Sequence, residues 1–213
     1  MKPGQKFRNA LKNNKPLIIP GTINAYSAKL AELANHNSIY LSGSGVAAAS
    51  YGLPDLGVTT LENVLIDAKR ITSATSLPLL VDIDTGWGDF DAISNTIIEM
   101  GNAKVAAVHI EDQIFDKRCG HRPNKQLVSI DEMQDRLKAA LDAKIDDSFF
   151  IMARTDALAS EGIEKAIERC GKYLDVGADG IFFEAAVSIE EYKLIKDEVK
   201  KSEYKFIKRK FDD

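Results

Sequence analysis

The stretch 117–121, Lys-Arg-Cys-Gly-His, places a thiol, two cations and an imidazole directly after the apolar segment 105–112. Cationic neighbours favour the thiolate form of Cys119, and Gly120 allows the backbone to approach a ligand closely. We therefore expect this loop to carry chemistry, with Cys119 and His121 as the candidate groups. The alternative is a turn whose cysteine only packs.

Two aspartates, Asp82 and Asp84, stand two positions apart at the end of another apolar segment. Residues two apart on a strand point to the same face, so both carboxylates are expected to reach one site. Hard oxygen ligands of this kind suit Mg²⁺, with Mn²⁺ as a second choice. Glu111, at the end of the following segment, is expected to reach water molecules on the ion. The alternative is an aspartate pair that caps a helix or pairs with a lysine.

A further group of residues indicates an anionic substrate. Arg154 ends another apolar segment, where a fixed guanidinium can hold a carboxylate through two hydrogen bonds. A structural ion pair with Asp156 or Glu184 is the alternative. Asp55 lies on a turn-rich loop that is expected to fold over the site, unless it is a simple turn carboxylate. His109 lies in an apolar strand pattern and is expected to be a core residue.

Short apolar segments alternate with helix-period segments along the chain. The apolar segments cover residues 17–20, 38–41, 79–83, 105–110, 149–153 and 180–183. Continuous apolar runs of this length are typical of parallel strands that are covered on both faces.

Helix start signals appear between these segments. The patterns Ser129-x-x-Glu132 and Ser188-x-x-Glu191 are capping boxes, which predict helices over residues 132–144 and up to about residue 200. Cys170 lies on an apolar stripe at helical spacing, so it is predicted to be a core residue without a chemical role.

Polar residues follow nearly every apolar segment, which favours a (β/α)8 TIM-type barrel over a doubly wound sheet, since barrel enzymes collect their site from many strand ends. A closed barrel of this type has eight strands. Only six are visible, with the possible start of a seventh at residues 204–207. We therefore expect residues 1–213 to form a single, incomplete barrel domain that is truncated at its C-terminus.

The composition limits the classes of partner. The chain has 213 residues, 45% hydrophobic content and a formal net charge of -4, which gives no support for a nucleic-acid or membrane partner. Its two cysteines lack the spacing of a disulfide framework or a zinc site, which fits a reducing compartment. The polar N-terminus has no apolar core of a signal peptide. A cytoplasmic enzyme acting on a small molecule is the expectation.

Six motifs taken together resemble the isocitrate lyase and phosphoenolpyruvate mutase superfamily. They are residues 40–45 (YLSGSG), 52–57 (GLPDLG), 82–84 (DID), 109–112 (HIED), 117–125 (KRCGHRPNK) and 152–157 (MARTDA). The resemblance runs from about residue 6 to about residue 200. The cysteine-bearing segment 117–125 is the most specific of the six, and it is similar to the lyase branch, in particular to the members that cleave 2-methylisocitrate.

The resemblance implies Mg²⁺-dependent cleavage of 2-methylisocitrate, a small tricarboxylate, into pyruvate and succinate during propionate breakdown by the methylcitrate cycle. It also implies a homotetramer with helices swapped between subunits. Asp82 and Asp84 match metal ligands, and Cys119 matches the general acid. The positions that match substrate contacts are Ser42, Gly43, Ser44, Cys119, Gly120, Arg154 and Glu184. Asp55 and Lys117 are expected beside them.

The base that takes the proton of the substrate hydroxyl stays open. Tyr40 is one candidate, and a metal-bound water organised by Glu111 or Asp55 is the other.

Two departures from the family pattern leave other functions open. Ser44 stands where the family has a glycine, and the family continues beyond the end of this chain with the seventh and eighth strands and the swapped helices. The alternatives are a non-catalytic remnant of such a lyase, a related lyase acting on isocitrate or another 2-hydroxy acid, and an interaction module whose open barrel edge pairs with a partner chain.

Overall fold

The alternating apolar segments build one parallel sheet. The computed structural model describes residues 1–120 and 122–200 and the backbone of residues 206–207. Its strands are β1 (Ile39–Leu41), β2 (Leu79–Asp82), β3 (Ala107–Glu111), β4 (Phe150–Thr155), β5 (Gly180–Phe183) and β6 (Phe206–Ile207). Each strand pairs in parallel with the next one along the chain. This strictly sequential order is that of a (β/α)8 barrel rather than a doubly wound sheet.

Helices precede the first strand and connect the others, and most of them cover the outer face of the sheet. They are α1 (Pro3–Asn13), α2 (Ala25–Leu33), α3 (Gly43–Tyr51), α4 (Leu61–Ala74), α5 (Phe90–Asn102), α6 (Ile130–Asp142), α7 (Leu158–Glu161), α8 (Ile163–Asp175) and α9 (Ile189–Lys200). The predicted caps are confirmed, because the hydroxyls of Ser129 and Ser188 accept hydrogen bonds from the N–H groups three residues later, each at 3.1 Å. Helix α6 begins and ends two residues before its predicted bounds. Cys170 is fully buried in α8, as predicted.

The first predicted strand, residues 17–20, is wrong. Residues 17–20 form no strand, and the described pairing nearest to them is a single bridge between the next residue, Gly21, and Tyr40. The carbonyl of Pro20 accepts a hydrogen bond from the Tyr40 N–H at 2.9 Å. Proline has no N–H to donate, so the prolines at positions 16 and 20 interrupt a continuous ladder.

The other five predicted segments are strands whose ends move by at most two residues. The described part of residues 204–207 is strand β6, which confirms the start of a further strand beyond β5.

Two apolar cores hold this arrangement. The larger core lies between the sheet and the outer helices, and it includes Val81, Val108 and Ile151. The smaller core lies inside the curve of the sheet near the amino-terminal ends of the strands, where Phe7 of α1 packs edge-on against Phe150 with ring centroids 5.2 Å apart. The carboxyl-terminal ends of the strands are left for polar side chains.

Among the described residues, no helix has the length and apolar character that crossing a bilayer requires.

Candidate active site

The strand register collects charged side chains at the carboxyl-terminal ends of neighbouring strands. Asp82 of β2 is paired with His109 of β3, and Glu111 of β3 is paired with Arg154 of β4. Glu184 follows the last residue of β5. All five side chains are buried. The sheet therefore gathers one cluster of charge at a single end, as the barrel prediction required.

Three of the buried carboxylates form an acidic cluster. One ligand oxygen from each of Asp82, Asp84 and Glu111 lies within 4.8 Å of the others. Strand β2 ends at Asp82, and Asp84 turns back towards it through a left-handed backbone with a φ of 47°. The Asp84 N–H donates to Asp82 Oδ1 at 3.1 Å. The expected meeting of the two aspartates is confirmed, but this turn produces it rather than strand alternation.

The backbone of Gly43 lies directly over the acidic cluster. Its N–H donates to Asp82 Oδ2 at 3.2 Å. A Cβ atom at this position would lie 3.2 Å from Asp84 Oδ1 and 3.3 Å from Asp82 Oδ2. A larger residue at position 43 would therefore crowd the carboxylates.

Burial makes the cluster electrostatically unfavourable without a cation. Burial and the charge of Asp82 raise the pKa of Asp84 to about 6, and burial raises the pKa of Glu111 well above its usual value. Both Glu111 carboxylate oxygens lack a hydrogen bond to any described residue, although Arg154 Nε lies 3.3 Å from Oε2. Buried carboxylates without hydrogen-bond donors suit a hard divalent cation. These three carboxylates therefore could hold a metal ion. Glu111 offers a ligand oxygen of its own, in addition to those of the two predicted aspartates.

Lys117 connects the cysteine-bearing loop to this cluster. Its ammonium lies 2.6 Å from both Asp84 Oδ1 and Asp55 Oδ1. Burial would lower the pKa of Lys117, but Asp84 and Glu111 outweigh that effect and hold it above its usual value. The charge of Lys117 is thus directed at carboxylates. The same contact brings Asp55 beside the acidic cluster, and closure of its loop over a bound substrate stays a prediction.

Gly120 anchors the other side of the loop. A Cβ atom at Gly120 would lie 2.5 Å from Glu184 Cγ and 2.6 Å from Arg154 Nη2, so only a residue without a side chain can approach this closely. Arg154 is itself held by Asp156 through two hydrogen bonds of 2.9 and 3.1 Å. The guanidinium that was expected to hold a substrate carboxylate is therefore oriented by an acid and packed under the loop.

Cys119 lies between these two anchors. Its Cα is one residue from Gly120 and two from Lys117, which puts it within about 8 Å of both along the chain. The side chain is half-buried, and the carbonyl accepts a hydrogen bond from the Arg122 N–H at 2.8 Å. Along the chain, the thiol residue thus lies between Lys117, whose ammonium contacts Asp84, and Gly120, which packs against Arg154. His121 lies outside the described residues.

Tyr40 reaches the acidic cluster from β1. Its hydroxyl lies 3.0 Å from His109 Nε2 and 3.5 Å from Asp82 Oδ2. Burial lowers the pKa of His109 to about 4, so this imidazole is neutral at pH 7. His109 is buried as predicted, yet it also contacts two residues of the site, a contact that its apolar strand pattern does not reveal.

The two predicted serines have different positions. The Ser42 hydroxyl accepts a hydrogen bond from the Gly45 N–H at 3.3 Å and caps helix α3. Ser44 is exposed on the first turn of that helix.

Two further residues support the site and were not assigned a part in it from the sequence. Asp112 accepts hydrogen bonds from Thr155 Oγ1 at 2.7 Å and from the Asp156 N–H at 2.9 Å, so it holds the end of β4. Lys125 donates to the Gly120 carbonyl at 2.6 Å. Both residues lie within the quoted motifs, but the motif does not reveal which backbone group each side chain contacts.

Comparisons with known proteins agree with this geometry. A family described as phosphoenolpyruvate phosphomutase matches residues 7–205. A curated protein named 2-methylisocitrate lyase from Shewanella oneidensis is 60% identical over 197 residues, which cover 92% of this chain and 68% of that protein.

Solved structures show the same fold. A crystal structure of 2,3-dimethylmalate lyase, a member of the phosphoenolpyruvate mutase/isocitrate lyase superfamily, matches with a TM-score of 0.88 and 34% identity, covering 93% of this chain and 67% of that one. Phosphonopyruvate hydrolase in complex with oxalate and Mg²⁺ matches with a TM-score of 0.82 and 32% identity, covering 92% and 68%. The chain thus spans about two thirds of the length of these relatives. It belongs to the phosphoenolpyruvate mutase/isocitrate lyase superfamily and has the TIM-type barrel fold of its members.

Proposed function

We propose that this protein is a Mg²⁺-dependent carbon–carbon lyase that cleaves 2-methylisocitrate into pyruvate and succinate. The observation that carries the proposal is the position of the cysteine-bearing loop, which Lys117 ties to the acidic cluster and Gly120 packs against Arg154. The printed names of the curated relatives support the same substrate.

The acidic cluster and Arg154 divide the recognition of the substrate. The acidic cluster would hold Mg²⁺, which when bound makes the substrate hydroxyl more acidic. Arg154, oriented by Asp156, supplies positive charge for a substrate carboxylate. Gly43, the first residue of α3, keeps a side chain away from the two aspartates.

Proton transfer at the hydroxyl is assigned to Tyr40. Its hydroxyl contacts the neutral His109 imidazole and lies beside Asp82, so Tyr40 is held at the end of the cluster where the substrate hydroxyl would sit. As the substrate hydroxyl gives its proton to the Tyr40 oxygen and Tyr40 passes its own proton to His109 Nε2, the carbon–carbon bond breaks and its electron pair stays with the succinate fragment. The oxygen becomes the keto group of pyruvate.

Cys119 completes the reaction by donating its proton to the carbon of the succinate fragment. The positive charge of Arg154 beside Gly120 stabilises the fragment while negative charge develops on it. In the reverse direction the thiolate removes the same proton.

The test is release of pyruvate from 2-methylisocitrate by the purified chain in the presence of Mg²⁺. Changing Cys119 to Ser should lower turnover by at least about a thousandfold, because a hydroxyl is a much weaker acid than a thiol. Changing the core cysteine Cys170 to Ser is the matched control and should keep turnover near the wild-type value.

Two other outcomes of the pyruvate test would change the proposal. Absence of pyruvate from a folded chain would contradict the proposal and favour a non-catalytic remnant. Faster cleavage of isocitrate or of another 2-hydroxy acid would assign the same chemistry to a different substrate.

We also propose that the lyase acts in propionate breakdown and assembles as a homotetramer. A native mass corresponding to four chains in light scattering would support the assembly, and a monomer would contradict it.

A further inference from the structure

We propose that Lys125 is a positioning residue that latches the cysteine-bearing loop onto the acid that orients Arg154. The proposed effect on turnover rests on the lyase function above. The proposed effect on the loop does not.

The ammonium of Lys125 bridges two parts of the site. It donates to the Gly120 carbonyl at 2.6 Å and lies 3.1 Å from Asp156 Oδ1. Only 1% of the Lys125 side chain is exposed, and the Asp156 side chain is fully buried. Since the Gly120 carbonyl is the first backbone acceptor after Cys119, this bridge fixes the chain at the thiol residue.

The acceptor side of the bridge is rigid. Asp156 accepts two hydrogen bonds from Arg154, and its own N–H donates to Asp112 Oδ1 at 2.9 Å. Asp112 in turn accepts from Thr155 and from the Tyr173 hydroxyl of helix α8. Asp156 is therefore held by Arg154 of β4 and by Asp112, which follows β3 and is itself fixed by Tyr173 of α8, so it is a fixed point against which a loop can be positioned.

The other ties of the loop differ from this one in what they contact. Lys117 binds Asp55 and Asp84, which belong to the acidic cluster or lie beside it. Gln113 exchanges two hydrogen bonds with the backbone of Arg118, within the same loop. In the described part of the loop, the Lys125 bridge joins the backbone next to Cys119 to Asp156, the residue that follows β4.

Burial of an ammonium ion is unfavourable unless it is paired and hydrogen-bonded, and here both of its described partners belong to the site. An apolar side chain of similar size can often replace a buried ion pair without loss of stability. Stability alone therefore does not explain the ammonium at this position. Loss of the ammonium leaves Asp156 paired with Arg154, so no charge is orphaned. A Lys125→Met variant is therefore expected to fold, with the loop released from β4.

The experiment measures alkylation of each cysteine by iodoacetamide, followed by peptide mass spectrometry, without substrate. In Lys125→Met the rate at Cys119 should rise at least about fivefold, while the buried Cys170 stays unreactive. Lys138→Met, at an exposed lysine of α6, is the matched control and should leave both rates unchanged. Lys125→Gln provides a smaller, polar replacement for the case in which the methionine variant does not fold.

An unchanged rate at Cys119 would overturn the proposal. An equal rise at both cysteines would also overturn it, because it would show that Lys125 stabilises the whole fold rather than the loop.

Turnover gives a second measurement. In Lys125→Met we expect kcat to fall about tenfold or more with a smaller change in KM. The substrate would still bind, but the released loop would bring the Cys119 thiol to the substrate less often. A loss confined to KM would contradict a positioning role. If the wild-type chain releases no pyruvate, the lyase proposal fails, whereas the alkylation rates still decide whether Lys125 holds the loop.

Discussion

The two ends of the same strands have opposite characters. Near the amino-terminal ends the inward-facing residues are apolar, with Leu80 on β2 and Ala107 on β3 packed near Phe7 and Phe150. Two residues further along β2 the inward residue is Asp82, a buried acid. The change from apolar to charged takes place within single strands of four to six residues.

This difference separates stability from chemistry within one sheet. The amino-terminal end buries apolar surface, which stabilises the fold, whereas the carboxyl-terminal end buries charges whose desolvation opposes folding. A change at the first end should lower stability without altering the chemistry of folded molecules. A change at the second end should alter ion binding, pH dependence or turnover.

The largest effect on stability is expected at Phe7. Phe7→Ala should lower the free energy of unfolding by about 3–5 kcal/mol, because it leaves a cavity against Phe150. Urea titration measures this loss. Phe115, which is 59% exposed near the other end of the strands, is the control, and Phe115→Ala should change stability by less than about 0.5 kcal/mol.

The comparison fails if Phe7→Ala leaves stability unchanged. It also fails if turnover per folded Phe7→Ala molecule, measured below the unfolding transition, falls with stability, because the smaller core would then act on the site.

The next effect is a dependence of stability on pH that Asp84 causes. Its pKa is about 6 in the folded chain and close to 3.8 in the unfolded chain, so the folded chain binds more protons between these values. Stability in the presence of a chelator should therefore fall as pH rises from about 4 to about 6, and Asp84 should account for about 2–3 kcal/mol of the fall. Asp84→Asn should remove that part of the slope in urea titrations at each pH. Identical slopes in the two proteins would show that the buried charge is not unfavourable.

The same comparison of the two ends explains how far the sequence predicts the structure. Apolar sequence patterns predict the ends of five strands to within two residues, because fully buried parallel strands need continuous apolar residues. Residues 17–20 have that apolar character, but two prolines remove the donors of a ladder, and the local pattern does not measure this cost.

At the site, residue type and motif identified the aspartates, the thiol loop and Arg154. They did not assign Asp112 or Lys125 a part in it, because their roles depend on backbone groups that only the fold brings close. The left-handed turn at Asp84 was likewise hidden, since a positive φ is uncommon for residues other than glycine and the local sequence does not require it here.

A smaller effect concerns ion binding at the acidic cluster. An ion that binds only the folded chain raises the free energy of unfolding by about 1.4 kcal/mol when its concentration is ten times its dissociation constant. For a chain of this size, that corresponds to a rise in Tm of about 3–6 °C. Mg²⁺ should produce this rise in calorimetry with the wild-type chain. Asp84→Asn should reduce or abolish it, whereas Asp135→Asn, at an exposed acid of α6, should retain it. Equal rises in all three proteins would place the ion elsewhere.

The smallest effect is expected at Arg8, which ties α1 to the amino-terminal end of the sheet. Its guanidinium donates to the Ser148 carbonyl at 2.9 Å, pairs with Asp179 at 2.7 Å and lies over the ring of Phe150. Arg8→Met keeps much of the apolar packing, and water can reach the partly exposed Ser148 and Asp179, so the loss should be about 1 kcal/mol in urea titration.

Lys2 is the matched control at the same end of the sheet, because it is paired with an acid but its side chain is 69% exposed. Lys2→Met should leave stability unchanged within error. Neither variant should alter kcat or the alkylation rate of Cys119. A change in either quantity with Arg8→Met would show that the two ends are coupled through β4. The first residue of this strand, Phe150, contacts Arg8, and Arg154 lies near its other end.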